Sequence, residues 1–287
     1  MKVLFFTLLA LFAFAGNSVL CRLALGEATI DAASFTSIRL LSGIAVLALI
    51  LKAVQPSGNV VSTGSWKAAA MLFIYALAFS FAYISLDTGT GALILFASVQ
   101  MTMIGVGLLS GAKLYWVEWL GVIVAFNGFV YLVLPGLEAP PLMGFVLMSA
   151  AGVAWGFYTL AGKDSKHPLS DTTYNFIRTL PLVLILMAVT ILKVNVSWEG
   201  VVLAILSGGL TSGIGYTVWY MALNGLSSTQ AAVVQLLVPV IAAFGGVVFA
   251  DEILSIRLMI SSTMILGGIL IVVLGKHYYT QHHSSKT

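Results

Sequence analysis

Phe35-Thr36-Ser37-Ile38-Arg39-Leu40-Leu41 returns 139 residues later as Tyr174-Asn175-Phe176-Ile177-Arg178-Thr179-Leu180. Other matches follow in the same order. Tyr83-Ile84-Ser85-Leu86-Asp87 resembles Tyr220-Met221-Ala222-Leu223-Asn224 at an offset of 137. Two extra residues in the second half restore 139, pairing Gln100 with Pro239 and Gly128 with Gly267, and Gly16 pairs with Gly156 at 140. Coincidence in an apolar, low-complexity chain is the competing explanation; ordered matches at a nearly constant offset count against it. The chain is read as two homologous halves, 1–138 and 139–276, with a disordered cytoplasmic tail, 277–287.

What repeats is a set of apolar runs. A helix needs about 20 mainly apolar residues to cross the hydrocarbon core of a bilayer. Ten such runs lie at roughly 3–25, 33–54, 67–86, 91–111, 118–135, 142–162, 172–192, 200–222, 228–249 and 258–275. Turn chemistry separates them: Gln55-Pro56-Ser57-Gly58-Asn59, Pro135-Gly136, Ala139-Pro140-Pro141 and the polar run from Lys163 to Asp171. Of 287 residues, 60% are hydrophobic and only 8% are charged, against about 25% charged in a soluble domain. A soluble protein of this size still needs a charged surface, so most of this surface faces lipid. The expected fold class is an all-α integral membrane protein of ten transmembrane helices.

Each half holds five helices. Five is odd, so the second half runs upside down relative to the first. Inverted-topology repeats are a transporter architecture, with the substrate site near the midplane where the repeats meet.

Orientation follows from the basic residues, which collect on the cytoplasmic side. With the N-terminus inside, the inner segments hold Lys2, Lys52, Lys67, Lys113, Lys163, Lys166, Lys276 and Lys286, and the outer ones only Lys193 and Arg257. Both termini are therefore expected in the cytoplasm, with the protein in a bacterial inner membrane. Ala13-Phe14-Ala15 after Lys2 resembles a signal-peptidase site. Apolar sequence resumes beyond it, however, and the repeat needs this helix, so it is expected to stay. Leu20 before Cys21 argues against a lipoprotein.

The residues also resemble the EamA-type branch of the drug/metabolite transporter superfamily, over nearly the whole chain, residues 3–275. Arg39, Arg178, Val238-Pro239, Ala250-Asp251-Glu252-Ile253-Leu254 and Gly267-Gly268 carry the resemblance. The family's Pro and Glu, 13 residues apart, appear as Pro239 and Glu252; in the first half Gln100 and Lys113 replace them. The aromatic-Gly pair usual in the first helix reads Ala15-Gly16, while the sixth keeps Trp155-Gly156. The resemblance implies two EamA-type five-helix repeats forming a carrier, often an exporter of amino acids or related metabolites.

Ionisable groups inside a membrane cost about 2.5–3.5 kcal/mol for a central Arg on insertion scales. Arg39 and Arg178 each sit about seven residues into a span, roughly 10 Å deep. Each either binds a substrate carboxylate or a gate partner, or snorkels to headgroups and caps nearby carbonyls; the second reading is preferred. Arg22, near the end of the first span, is read as snorkelling. Arg39, Arg178, Pro239 and Glu252 are assigned structural or gating roles.

Aromatic and amide side chains are the stronger site candidates. Phe79 and Tyr83 lie four apart on the third helix, Trp155 and Tyr158 three apart on the sixth, and Tyr216, Trp219 and Tyr220 on one face of the eighth. Such side chains offer an apolar body with one polar tip, which suits amphipathic solutes; an interfacial aromatic belt is the alternative. Asn17, Gln100, Asn127 and Gln235 are amides within spans, each expected to face another helix or a cavity. Pro239 cannot donate to the carbonyl of Gln235 four residues earlier, which frees an acceptor beside an amide. The expected solute site is Asn17, Tyr83, Gln100, Trp155, Tyr158, Tyr216, Trp219 and Gln235. Gly107/Gly111, Gly152/Gly156 and Gly209/Gly213 are read as close-packing pairs.

No phosphate-binding glycine loop, catalytic constellation or metal-spaced His/Cys cluster appears, and the net charge of +3 points to no nucleic acid. No catalytic residue, metal or cofactor is assigned. No Asp or Glu sits at mid-span, so ion coupling stays open, with Asp87, Asp251, Glu252 and Glu118 the nearest candidates. The expectation is a non-enzymatic, monomeric carrier of small amphipathic metabolites, amino acids first and export favoured. The alternatives are another solute (drug, sugar derivative or quaternary amine) and a membrane-embedded enzyme.

Overall fold

The computed structural model of the protein describes residues 2–54, 64–111, 114–134, 136, 139–162, 165–223, 225–226 and 234–284, with the side chains of Tyr220, Leu223 and residues 276–284 outside the description. The turn Gln55–Asn59, Lys113, Lys163 and Asn224 also lie outside it. Ten helices follow: α1 Lys2–Gly26, α2 Ala32–Val54, α3 Trp66–Ala82, α4 Thr88–Leu109, α5 Trp116–Val133, α6 Leu142–Gly162, α7 Pro168–Lys193, α8 residues 198–223, α9 Leu237–Phe249 and α10 Ile256–Ser284. Among the described residues, eight helices are long and apolar enough to cross a membrane; α3 and α9 are apolar but shorter. Large apolar side chains such as Phe5, Phe126, Leu184 and Phe244 stand exposed around the bundle, which water would penalise and lipid does not.

Local chemistry sets several boundaries. Ser65 and Ser197 cap α3 and α8, their hydroxyls accepting the N–H of Ala68 and Gly200 at 3.0 and 3.1 Å. A tryptophan opens each of these helices. Asp31 caps α2, accepting the N–H of Ala33 and Ser34. α7 is interrupted at Thr179, where Pro181 lacks an N–H for the next turn. The middle of α8, Leu206–Ile214, winds as a π-helix between two α-helical pieces, Trp198–Ile205 and Gly215–Leu223. α10 continues to Ser284, with no Gly or Pro to break the run over residues 277–284.

The packing exchanges helices between the halves. α1 packs against α8 and α9, and α6 packs against α3 and α4. α2 meets α7, α4 meets α9, and α5 meets α10. Moving every helix five places maps this set of contacts onto itself. α1 ends beside residues 250–255, at the end of the bundle where α6 begins, so corresponding helices run in opposite directions.

The two ends repeat one device. At the Gly26 end, the Asp31 carboxylate also accepts the N–H of Asn195 at 3.0 Å, beside an isolated bridge between Ile30 and Val196. At the opposite end, the Asp171 carboxylate accepts the N–H of Gly64 at 2.9 Å. In each case an acid at the start of α2 or α7 ties down the link entering α8 or α3. Burial pushes the Asp31 carboxyl up, but the Ser34, Asn195 and Ala33 donors outweigh it and hold it below its ordinary 3.8.

Glycines let backbones meet where chain crosses chain. A β-carbon at Gly208 would overlap the Arg39 carbonyl, and one at Gly152 would stand 2.5 Å from the Ser98 β-carbon. Gly121 and Gly268 face each other across α5 and α10, each β-carbon position 2.5 Å from the other's carbonyl. Gly107 and Gly111 face open space instead, and Gly111, with φ of +90°, terminates α4. Gly208 rather than Gly209 makes the closest approach in α8.

Candidate functional site

Where α1, α3, α4, α6 and α8 converge, aromatic rings close on one another. Tyr75 stacks tilted on Trp155 at 4.7 Å, Trp155 on Tyr216 at 4.9 Å, and Phe14 lies 5.9 Å from Tyr216 and 6.5 Å from Phe96. They enclose a cavity of about 20 Å³, whose polar wall is Asn17, Ser18, Tyr75 and Tyr216. That is room for about one water molecule, so any larger solute requires the rings to part. The wall belongs to both halves: Phe14, Tyr75 and Phe96 come from the first, Trp155 and Tyr216 from the second.

Asn17 is the polar centre. Its Oδ1 accepts Ser207 Oγ at 2.7 Å and Thr211 Oγ1 at 3.1 Å, both from the π-helical stretch of α8. Its Nδ2 donates to the Tyr75 hydroxyl at 3.5 Å. The amide thereby bridges α8 of one half and α3 of the other.

Of the eight expected solute-site residues, Asn17, Trp155 and Tyr216 line the cavity. Tyr158 touches Trp155 at 5.2 Å, and Trp219 stacks edge-on to Phe14 at 5.8 Å, each just behind the wall. Tyr83 is fully buried behind Phe79 and does not line the cavity; its hydroxyl donates to the Thr88 carbonyl at 3.3 Å and its ring packs over Gly91. Gln100 is buried on α4, and Gln235 is half-buried ahead of α9; neither lines the cavity. Asn127 is exposed and donates to the Ile123 carbonyl one turn earlier, so it faces neither helix nor cavity. Pro239 lies in the first turn of α9, just past a break at Leu236, rather than within a continuous helix.

Tyr75 is a wall residue that the sequence reading missed, as are Phe14, Ser18, Leu95 and Phe96. Tyr75, Phe79 and Tyr83 recur every four residues, so the spacing that drew attention to the last two also marks the first. The Ser207 and Thr211 partners carry no such signal, because hydroxyls in apolar helices commonly bond to their own backbone.

The arginines divide. Arg39 is 2% exposed, and it does not snorkel. Its Nη2 donates to the Tyr75 hydroxyl at 3.0 Å, and its guanidinium lies over the Tyr75 and Phe79 rings at 5.2 and 5.0 Å. Arg178, its repeat mate, is only half-buried and lies over Tyr174 at 5.8 Å, beside the link at Gly64. Arg22 does not snorkel either. Its Nε donates to Glu252 at 3.2 Å and its Nη2 to Asp87 at 3.4 Å.

Glu252 joins three elements. Beyond Arg22 of α1, it accepts the Thr88 N–H and hydroxyl at the start of α4. Asp251, with φ of +50°, turns the chain after α9, and Gly246 leaves the space that the folded-back carboxylate fills. Burial pushes the Glu252 carboxyl above its ordinary 4.5, more than the Thr88 donors and Arg22 lower it. Glu252 also lines a wider pocket of about 230 Å³ at this end, with Asp87, Thr90, Pro141 and Ser255.

Comparisons with known proteins agree with this architecture. Residues 142–274 match the EamA-like transporter family. The chain is 46% identical over 272 residues to uncharacterized protein PA1977 of Pseudomonas aeruginosa, covering 95% of this chain and 94% of that protein. A solved structure, titled only as a crystal structure of a protein, shares the fold with a TM-score of 0.62 at 19% identity, over 93% of this chain and 97% of the other. Ten described helices in an inverted arrangement, a small aromatic cavity between the halves and the family match over the second half lead to one assignment: the chain is a multi-pass membrane protein that belongs to the EamA-like transporter family.

Proposed function

We propose that this protein carries small amphipathic metabolites, amino acids and related compounds first, out across a bacterial inner membrane by alternating access. The observation that carries the reading is the small cavity between the halves, walled by rings from both and by one amide. Rings accept an apolar body, Asn17 and the hydroxyls accept a polar tip, and the wall can part only where the halves separate.

Two ties hold the halves at the Gly26 end: Glu252 on Arg22 and Thr88, and Asp31 on Asn195. At the other end Asp171 holds Gly64. Releasing one set while keeping the other opens the cavity to one side at a time. Glu252 acts as the gate on the outer face, with both termini cytoplasmic. Arg178 and Pro239 shape the elements that move.

The test is flux in proteoliposomes loaded with a panel of radiolabelled amino acids. Release of unmodified solute, faster than from protein-free vesicles, supports a carrier. A chemically altered product, or no flux for any member, overturns it.

A further inference from the structure

We infer that Arg39 is the recognition point for an acid group on the solute, so that the cargo is an organic acid with an apolar body; this rests on the carrier reading. The guanidinium is buried in the span of α2, yet the described ion pairs both belong to Arg22. Every described Asp and Glu lies in a link between helices or within the first turn of one. Nη2 is held by the Tyr75 hydroxyl and the ring faces cover one side, but Nη1 has no hydrogen-bond partner among the described residues. A buried guanidinium in a membrane calls for an anion.

That anion can come from the cavity. The Tyr75 hydroxyl accepts from both Arg39 and Asn17, and Tyr75 and Asn17 are wall residues. The side chains of Tyr75 and Phe79 therefore separate the charge from the solute space. When the rings part, a carboxylate replaces the phenol and takes both guanidinium nitrogens in the paired geometry that Arg favours. Among the described residues no acidic one lines the cavity, so a cationic solute would meet Arg39 without a counter-charge. The rings that remain suit a flat or branched apolar body.

The experiment measures ligand-induced thermal stabilisation of the purified full chain, and counterflow in proteoliposomes, with matched sets of acid, primary amide and amine. The sets are built on 4-methylpentanoate and 3-phenylpropanoate, with phenylalanine and phenylalaninamide as a further pair. The expected result is that an acid binds and its amide and amine bind at least about tenfold more weakly. Arg39→Gln should erase that preference, and Arg39→Lys should keep it with weaker binding. Melting of both Arg39 variants without ligand guards against misfolding, and an Arg39→Gln protein that melts like the wild type yet keeps the acid preference overturns the acid site. Equal binding of acid and amide in every set, or flux of amino acids that ignores the acid group, overturns the acid site and leaves the carrier standing. Absence of any flux overturns the carrier reading itself.

Discussion

Both oxygens of Glu252 close on the backbone N–H of Thr88, at 2.8 and 2.9 Å, although 164 residues separate the two in the chain. The carboxylate sits where the first N–H groups of α4 lack helical partners and where the helix dipole favours negative charge. Glu252→Ala should lower stability by about 1–3 kcal/mol, the cost of orphaning such donors. Thr88→Val, which keeps the N–H and loses only the hydroxyl, should cost about 1 kcal/mol or less. Thermal unfolding of the purified variants checks the order; equal losses would mean that the backbone contact contributes nothing.

The same carboxyl gives the Gly26 end a pH dependence. Its pKa is raised above 4.5 in the closed arrangement, chiefly by burial. The closed state thus holds the proton more tightly than a hydrated glutamate does. Its stabilising contribution is complete below 4.5 and is lost as pH rises through the raised value. Acid should therefore favour closure and higher pH should favour opening. A cysteine introduced at Ser255 should label more slowly as pH falls through this window, after normalisation to unfolded protein. Glu252→Gln should flatten that profile, and an unchanged slope would assign it to another group.

Gly208→Ala should destabilise by about 1–3 kcal/mol, because its β-carbon overlaps the Arg39 carbonyl where α2 and α8 cross. Gly107→Ala, facing open space, should be neutral or stabilise by up to about 1 kcal/mol through helix propensity. Comparing accumulation and melting of the two variants separates packing from mere small size.

Trp155→Ala and Asn17→Ala should weaken apparent solute affinity while the protein still inserts, since both line the cavity. Tyr83→Phe should cost stability and leave affinity unchanged. Gln235→Ala, outside the wall, should alter affinity less than either cavity variant. Transport by Trp155→Ala with wild-type affinity would remove the aromatic wall from the solute path.

The helices were legible because lipid imposes a length and a composition on every span. The repeat was legible because Arg39 and Arg178 preserve their local context. Their different fates were not: one is buried against Tyr75 and Phe79, the other half-buried over Tyr174, and no sequence symmetry records which neighbour lies across the interface. Arg22 was misread for the same reason, since its partner Glu252 is 230 positions away. Tyr83 and Gln235 are polar exceptions in apolar runs, as Asn17 is, but composition cannot tell which face of a helix turns inward.

α1 leaves the ribosome first, and the helices it packs against leave nearly last. Ala13 rests against Gly215, and Arg22 finds Glu252, only after some 200 further residues have been made. Until then the inward face of α1 has only its contacts with α3 and α4, such as Asn17 on Tyr75 and Phe14 on Phe96, so the five helices of the first half are an unfinished object during synthesis. A gene cut in the link between α5 and α6 should give two fragments that are each degraded when made alone and recovered together when made in one cell.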